Sequence, residues 1–246
     1  MSAYETSLLE RTRVADGTMA FQFEKPQHFH FKPGQYIDLT IPNPEDDANS
    51  RITHTFSIAS SPLSQNLLVT TRMRNTHFKR TLAVLPLGST ARIEGPMGSF
   101  HLHNNTARPA VLLAGGIGIA PFLSILSYAA QERLSHPLFL FYANRQLKDA
   151  AFIDDLWRLE RANPRFRFVP TLTRPTDPGL SWKGNTGHFN SEMLFARVGQ
   201  VRGPIYYIAG PPRMVATTIQ TLGNAGVNDD DIRTEEFAGY RQGEWK

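Results

Sequence analysis

The chain contains no cysteine. This excludes disulfides, a thiol nucleophile, and any iron–sulfur or zinc centre held by thiolates of this chain, so a centre of that kind must sit on a partner. Nor is there a long uninterrupted apolar run. The most apolar stretch, residues 110–126, is about the length of a membrane helix. It holds three glycines and a proline, however, the pattern of a strand and a helix joined by a turn. A large excess of one charge is absent as well: 26 basic residues against 22 acidic ones give a formal net charge of +4, and the basic residues are spread along the chain, which argues against a nucleic-acid partner. The opening MSAYETSLLERTR places charges where a secretion signal needs an apolar core, so a cytoplasmic location without membrane attachment is expected. What is present is a globular composition, 41% hydrophobic and 20% charged over 246 residues, long enough for two domains with separate cores.

The hydrophobic pattern changes character near residues 104–109, a polar stretch ending in proline. Before it, short apolar segments at 6–14, 18–23, 35–41, 53–59, 67–73 and 91–94, punctuated by turns such as KPGQ, predict an antiparallel β-barrel. After it, apolar strands at 111–114, 138–143, 166–171 and 205–209 alternate with helices at 122–131, 152–163 and 212–224. That alternation predicts an α/β doubly wound parallel sheet. The expected division is a barrel domain over residues 1–105 and an α/β domain over residues 106–246.

Three segments point to chemistry. In LLAGGIGIAPF, residues 112–122, a strand runs into Gly115, Gly116 and Gly118, where the backbone can turn tightly and approach a ligand. Ile119, Ala120 and Pro121 follow, and the proline suits the first turn of a helix. Free N–H groups at such a helix start fit a dinucleotide pyrophosphate, although an ordinary strand-to-helix turn has the same look. In HTFSIASSP, residues 54–62, Phe56 and Ile58 share one face of a strand while Thr55 and Ser57 share the other. In YYIAGPPRM, residues 206–214, a strand ends at Gly210 and Pro211, and Pro212 opens a helix carrying Met214.

In their order along the chain, 54–62, then 112–122, then 206–214, the three segments resemble the ferredoxin-NADP reductase superfamily, with a flavin-binding barrel first, a nicotinamide-binding domain second and no fused iron–sulfur domain. The resemblance implies that Phe56 stacks on the flavin ring and that Ser57 lies near its N5 atom. His54 stands where the family carries arginine, a smaller and conditional cation in the place of a permanent one. TRMRNTHFKRTL, residues 71–82, corresponds to the strand and helix that hold the flavin diphosphate, through Arg72, Met73, Arg74, Thr76, Phe78 and Lys79. Thr76 is a candidate N-cap, so the helix after it would point N–H groups at an anion. Gly210, Pro211, Pro212 and Met214 match the second nucleotide loop, with Ala209 in place of the family cysteine. Thr173 and Arg174 fall where members that select NADPH often carry Ser/Thr-Arg for the 2′-phosphate, and Asn144-Arg145, just after the preceding strand, offers a second cation, which favours NADPH over NADH. Near the end of the chain, EEFAGY places an acid beside an aromatic, and Phe237 is the match to the aromatic near the flavin; Tyr240 and Trp245 either cover the flavin or pack on the surface.

The activity implied is an FAD-dependent NAD(P)H oxidoreductase in which hydride passes from nicotinamide to FAD, with Ser57 and Phe237 closest to the chemistry. Electrons would then leave to a separate ferredoxin or flavodoxin. A reductase of small molecules such as ferric chelates, free flavin or quinones is the alternative enzyme. A flavin- or nucleotide-binding sensor without turnover is the alternative from another class. No metal site is expected.

Overall fold

The structure is a computed structural model that describes residues 2–43, 50–175, 182 and 184–237. The first part is built from β1 (Ala3–Ala15), β2 (Thr18–Glu24), β3 (Tyr36–Pro42), β4 (Arg51–Ser57), β5 (Asn66–Arg72), the helix α1 (His77–Val84) and β6 (Thr90–Met97). The six strands form one antiparallel sheet in the order β4-β3-β6-β1-β2-β5. β1 is long enough to serve two neighbours: residues 3–7 pair with β6, and its later residues pair with β2. Just past β4, Ile58 bridges Val69 of β5, which joins the two edges of the sheet into a barrel. Alternate residues such as Phe21, Phe23, Ile37, Leu39, Ile58, Val69 and Ile93 fill its interior, as a period of two requires when one face is covered.

The second part contains β7 (Ala110–Gly115), α2 (Ile119–Gln131), β8 (Leu138–Asn144), α3 (Ile153–Ala162), β9 (Phe166–Leu172), β10 (Asn185–Thr186), α4 (Ser191–Val198), β11 (Ile205–Gly210), α5 (Pro212–Asn224) and β12 (Ile232–Glu236). Its strands pair in parallel in the order β10-β9-β8-β7-β11-β12. β7 is apolar throughout because both of its faces are covered. Ala110, Leu112 and Ala114 join a core with α2 and α3, and Val111 and Leu113 join one with α4 and α5. From β7 the chain lays β8 and β9 on one side, then returns to place β11 and β12 on the other. The crevice between the carboxyl ends of β7 and β11 is therefore the point where the winding reverses, the place where open α/β sheets receive ligands.

Sequence expectation and structure part at several elements, the two-residue β10 among them. Helix α2 starts at Ile119, directly after a 3-10 turn over Gly116–Gly118, and Pro121 falls within its first turn. Helix α4 was not expected, although Asn190 caps it by accepting from the Met193 N–H and Gly199 ends it at a φ of 81°. β12 reads Ile-Arg-Thr-Glu-Glu, with no hydrophobic alternation to announce a strand; it exists because its backbone continues the ladder of β11.

Candidate functional site

The two glycine-bearing loops of the second sheet pack against each other at the crevice. A methyl group on Gly118 would lie 2.1 Å from the Ala209 carbonyl oxygen, and one on Gly115 would lie 2.2 Å from the Met214 sulfur. These glycines are thus required by the chain's own close packing. Gly116, at a φ of 53°, adopts the left-handed backbone that lets β7 turn into the 3-10 segment ahead of α2. β12 runs beside β11, pairing Glu235 with Ala209 and Glu236 with Gly210, and the Phe237 N–H donates to the Gly210 carbonyl at 3.0 Å. β12 is held to the loop that opens α5.

Where this arrangement meets the barrel there is a cavity of about 1140 Å³. It is lined by barrel residues that include His54, Thr55, Phe56, Ser57, Arg72, Arg74, Thr76 and Lys79, by Ala120 at the start of α2, and by Glu235 and Phe237 on the other side. The Ser57 hydroxyl donates to the Glu235 carboxylate across the junction of the two sheets. Burial pushes the Glu235 carboxyl above its ordinary range, and the hydrogen bond from Ser57 pulls it part of the way back. Phe56 is only 5% exposed, its ring packed with those of His54 and Phe78 at centroid distances of 4.9 and 5.7 Å. A sliver of aromatic surface, rather than an open platform, faces the cavity at this position.

One end of the cavity is cationic. Thr76 caps α1 by accepting from the Lys79 N–H, and Arg74 and Lys79 stand at the same helix start. The Lys79 ammonium donates to the Arg72 carbonyl at 2.9 Å, and its pKa falls to about 8 because it is buried and because Arg74 is near. His54 is also pushed down, by burial first and by Lys79 second, against an opposing pull from Asp38. Its Nδ1 accepts from the Thr55 N–H at 3.1 Å, which keeps the proton of the neutral ring on Nε2. Asp38 is itself engaged, accepting from the Thr55 hydroxyl at 2.5 Å. Met73 and Phe78 do not line the cavity: Phe78 belongs to the barrel core and Met73 packs against it.

The expected nucleotide residues fall into two places. Ile119 and Pro121 are buried within α2, Gly210 and Pro211 at the end of β11, and Met214 in α5 beneath the glycines, while Pro212 is exposed at the first position of that helix. Asn144, Arg145, Thr173 and Arg174 lie apart from the cavity at the carboxyl ends of β8 and β9. Backbone bonds from Thr173 N–H to the Asn144 carbonyl, 2.8 Å, and from Arg174 N–H to the Arg145 carbonyl, 2.9 Å, set the two dipeptides side by side. Asn144 is 3% exposed, and its side-chain oxygen has no hydrogen-bond partner among the described residues. Tyr240 and Trp245 lie outside the described residues. Sequence reasoning did not select Tyr36, Thr70, Thr71, Gly98, Ser99, His101, Ile117, Arg233 or Thr234, all of which line the cavity. The turn after β6 and the strand β12 reach it only through the docking of one sheet against the other.

These residues suit a flavin dinucleotide. The cavity exceeds the usual range for small ligands, and its wall offers an aromatic ring and a hydroxyl, with cations gathered at a helix N-terminus for a diphosphate. Comparison with known proteins agrees. Residues 5–102 match the oxidoreductase FAD-binding domain model and residues 112–220 the oxidoreductase NAD-binding domain model. The chain is 27% identical to the phenol hydroxylase P5 protein of Acinetobacter pittii (strain PHEA-2) over 98% of its own length and 67% of that protein's. It is also 27% identical to ferredoxin--NADP reductase B of Sorangium cellulosum (strain So ce56), covering 89% of this chain and 90% of the relative. The chain spans 57 to 67% of the length of the first three curated relatives it matches. Among solved structures, a ferredoxin NADP+ reductase from Neisseria gonorrhoeae with bound FAD and NADP superposes with a TM-score of 0.78 at 24% identity, over 95% of this chain and 98% of that one. Barrel, parallel sheet, converging loops and both matched domains together make this chain a member of the ferredoxin-NADP reductase superfamily.

Proposed function

We propose that this chain is an FAD-dependent NAD(P)H reductase that passes electrons to a separate acceptor. The observation that carries this reading is one side-chain pair. Ser57 from the barrel and Glu235 from β12 of the parallel sheet meet in the cavity, which Ile117 of the glycine turn and Ala120 of α2 also line. FAD, when bound, supplies an acceptor for the nicotinamide hydride and a source of single electrons.

The chain's residues supply the rest. Phe56, braced by His54 and Phe78, gives a fixed apolar wall, and Phe237 gives a second wall where β12 ends. The Ser57 oxygen carries a proton inside the cavity, and Glu235, with its raised pKa, is placed to exchange that proton through it. Arg74, Thr76 and Lys79 at the start of α1 are suited to a diphosphate, which favours FAD over FMN. The turn at Gly116 and the loop at Gly210 lie at the crevice that would receive the nicotinamide nucleotide. Arg145 and Arg174, set side by side, favour NADPH through its 2′-phosphate.

Relatives named as components of hydroxylase and dioxygenase systems support a protein acceptor, a ferredoxin, a flavodoxin or an oxygenase. A cytoplasmic location belongs to the same reading, because the reductant is NAD(P)H; among the described residues no helix is long and apolar enough to cross a membrane. The division into residues 1–105 and 106–246 is also part of it, supported by family matches that stop at 102 and resume at 112.

Anaerobic titration of the FAD-loaded protein with NADPH, and separately with NADH, tests this function. Bleaching of the flavin spectrum is expected, and at lower concentration with NADPH. Flavin that binds but never bleaches would favour a sensor, and failure to bind flavin after reconstitution would remove His54–Ser57 from the site.

A further inference from the structure

The cavity has a second cationic position, which the flavin and nucleotide reading leaves unused. Arg233 is half-buried, lines the cavity and pairs with Tyr207 across β12 and β11. Its Nη1 donates to the His101 carbonyl at 2.8 Å and to the Tyr207 hydroxyl at 3.1 Å, so both hydrogens on that nitrogen are used. The anchor is rigid. Tyr207 is fully buried, and its hydroxyl also accepts from the His103 N–H at 2.8 Å.

The hydroxyl's own hydrogen goes to His103 Nδ1, 3.1 Å away, because His103 Nε2 lies 3.1 Å from the Arg108 carbonyl and must carry the ring proton. His136 Nε2 then holds the His103 carbonyl at 2.8 Å. This network fixes the guanidinium in one orientation and leaves its Nε and Nη2 edge without a partner among the described residues. No described carboxylate pairs with it: Asp231 is taken by Arg108 at 2.8 Å, and Glu235 by Ser57. Glu235 lies two residues further along the same face, roughly 7 Å by strand geometry.

A half-buried guanidinium held by one nitrogen and open along the Nε and Nη2 edge is a preformed fork for a two-oxygen anion. A single cation matches a single negative charge, unlike the α1 end of the cavity, where several basic groups gather. Ser99 and His101 line the same region, and His101 uses Nδ1 on the Leu102 carbonyl at 3.2 Å. The geometry points to a subsite in which Arg233, with Ser99 and His101 beside it, binds a carboxylate carried by the electron acceptor. The site lies inside the cleft, on the strand that bears Glu235, so its ligand is held close to where electrons leave. This inference rests on the reductase reading. The carboxylate belongs either to a small chelate such as ferric citrate or to an acidic side chain of a protein acceptor.

The test uses the FAD-loaded protein, its Arg233→Gln and Arg233→Lys variants, and Tyr207→Phe. Citrate titrated into the oxidised protein should perturb the flavin spectrum in a saturable way, at least about tenfold more weakly in Arg233→Gln. NADPH-driven turnover is then compared with ferric citrate, an acidic [2Fe–2S] ferredoxin and uncharged 1,4-benzoquinone. With ferric citrate, two Fe(III) become Fe(II) for each NADPH oxidised, and one proton is released. Arg233→Gln should raise KM for at least one carboxylate acceptor about tenfold while benzoquinone turnover stays within about twofold. Arg233→Lys, which keeps the charge but loses the fork, and Tyr207→Phe, which removes the hydroxyl that accepts from Nη1 and leaves the His101 carbonyl as its remaining hydrogen-bond anchor, should fall between. A loss confined to ferric citrate identifies a small ligand, and one confined to ferredoxin a protein. Equal losses with benzoquinone, or no loss with either carboxylate acceptor, would overturn the subsite. If NADPH never bleaches the flavin, the reductase reading fails on its own, and citrate binding to the oxidised variants still decides the subsite: an unchanged titration in Arg233→Gln overturns it.

Discussion

The two sheets furnish the site in different currencies. The antiparallel barrel supplies side chains: Phe56, Ser57, His54 and Lys79 stand on strands and a short capped helix whose backbones are satisfied by their own ladders and turns. The parallel sheet supplies shape. Its contribution at the crevice is a backbone that can come close to a neighbour because Gly115 and Gly118 lack a Cβ, together with an edge strand that presents Glu235. β4 is laddered to β3 along its whole length and pinned just beyond its end by the Ile58–Val69 bridge, so it can give alternate residues to the cavity without loss of register. A strand-to-helix turn has no such support, so its glycines must satisfy packing and ligand approach together. Substitutions on the barrel side should therefore separate stability from chemistry more cleanly than those in the glycine turns.

Phe56→Ala is expected to have the largest effect, because one ring serves both the barrel core and the cavity wall. Deleting a buried phenylalanine costs about 3–5 kcal/mol, and FAD retention should fall with it. Chemical denaturation alongside measurement of bound flavin would expose a misplaced strand if FAD content stayed unchanged. Ser57→Ala should leave folding nearly intact and slow flavin reduction roughly 100-fold, as loss of a proton-handling group does. Stopped-flow reduction by NADPH measures this, and an unaltered rate would break the idea that the barrel contributes a chemically active side chain.

On the other side, Gly118→Ala should couple the two properties. Its methyl group meets the Ala209 carbonyl, so a destabilisation of about 1–3 kcal/mol is expected together with a raised KM for the nucleotide. A stable variant with normal kinetics would remove the contrast between the sheets. Arg174→Ala should lower kcat/KM for NADPH about tenfold while NADH use stays within about twofold. Equal losses would end the 2′-phosphate assignment.

The smallest expected effect is a slope. Burial raises the Glu235 pKa above its ordinary value of 4.5, so the native state keeps a proton that the unfolded chain has already lost. Stability contributed by this group is present below 4.5 and declines as pH rises through the raised value. Urea denaturation across that interval should show the decline in the parent protein and a flatter profile in Glu235→Gln. The same slope in both would assign it to other groups.

Much of the barrel and the nucleotide fold was legible because period and punctuation are local. The alternation in 18–23 and 35–41, the unbroken apolar run of β7 and the glycines after it each record a backbone requirement that a few neighbouring residues meet. Thr76 was readable as a cap for the same reason, and it caps α1. Helix α4 carried its signals too, Asn190 at one end and Gly199 at the other, but its short, mixed sequence obscured them. β12 carried none. An edge strand with charged residues takes its conformation from the strand beside it, and Ile-Arg-Thr-Glu-Glu has no pattern of its own to display.

By itself, the sequence determined the order of two architectures and which backbone positions must be glycine, since conformational freedom and hydrophobic period are properties of adjacent residues. Only the tertiary structure decided that Ser57 and Glu235, 178 residues apart, share a hydrogen bond. It alone decided that Phe56 is nearly closed off by His54 and Phe78, and that Arg233 is fastened by Tyr207 and the His101 carbonyl with one edge left open. Those relations depend on strand order and on how one sheet docks against the other. Both are set by the burial of whole faces at once, which no short stretch of residues encodes.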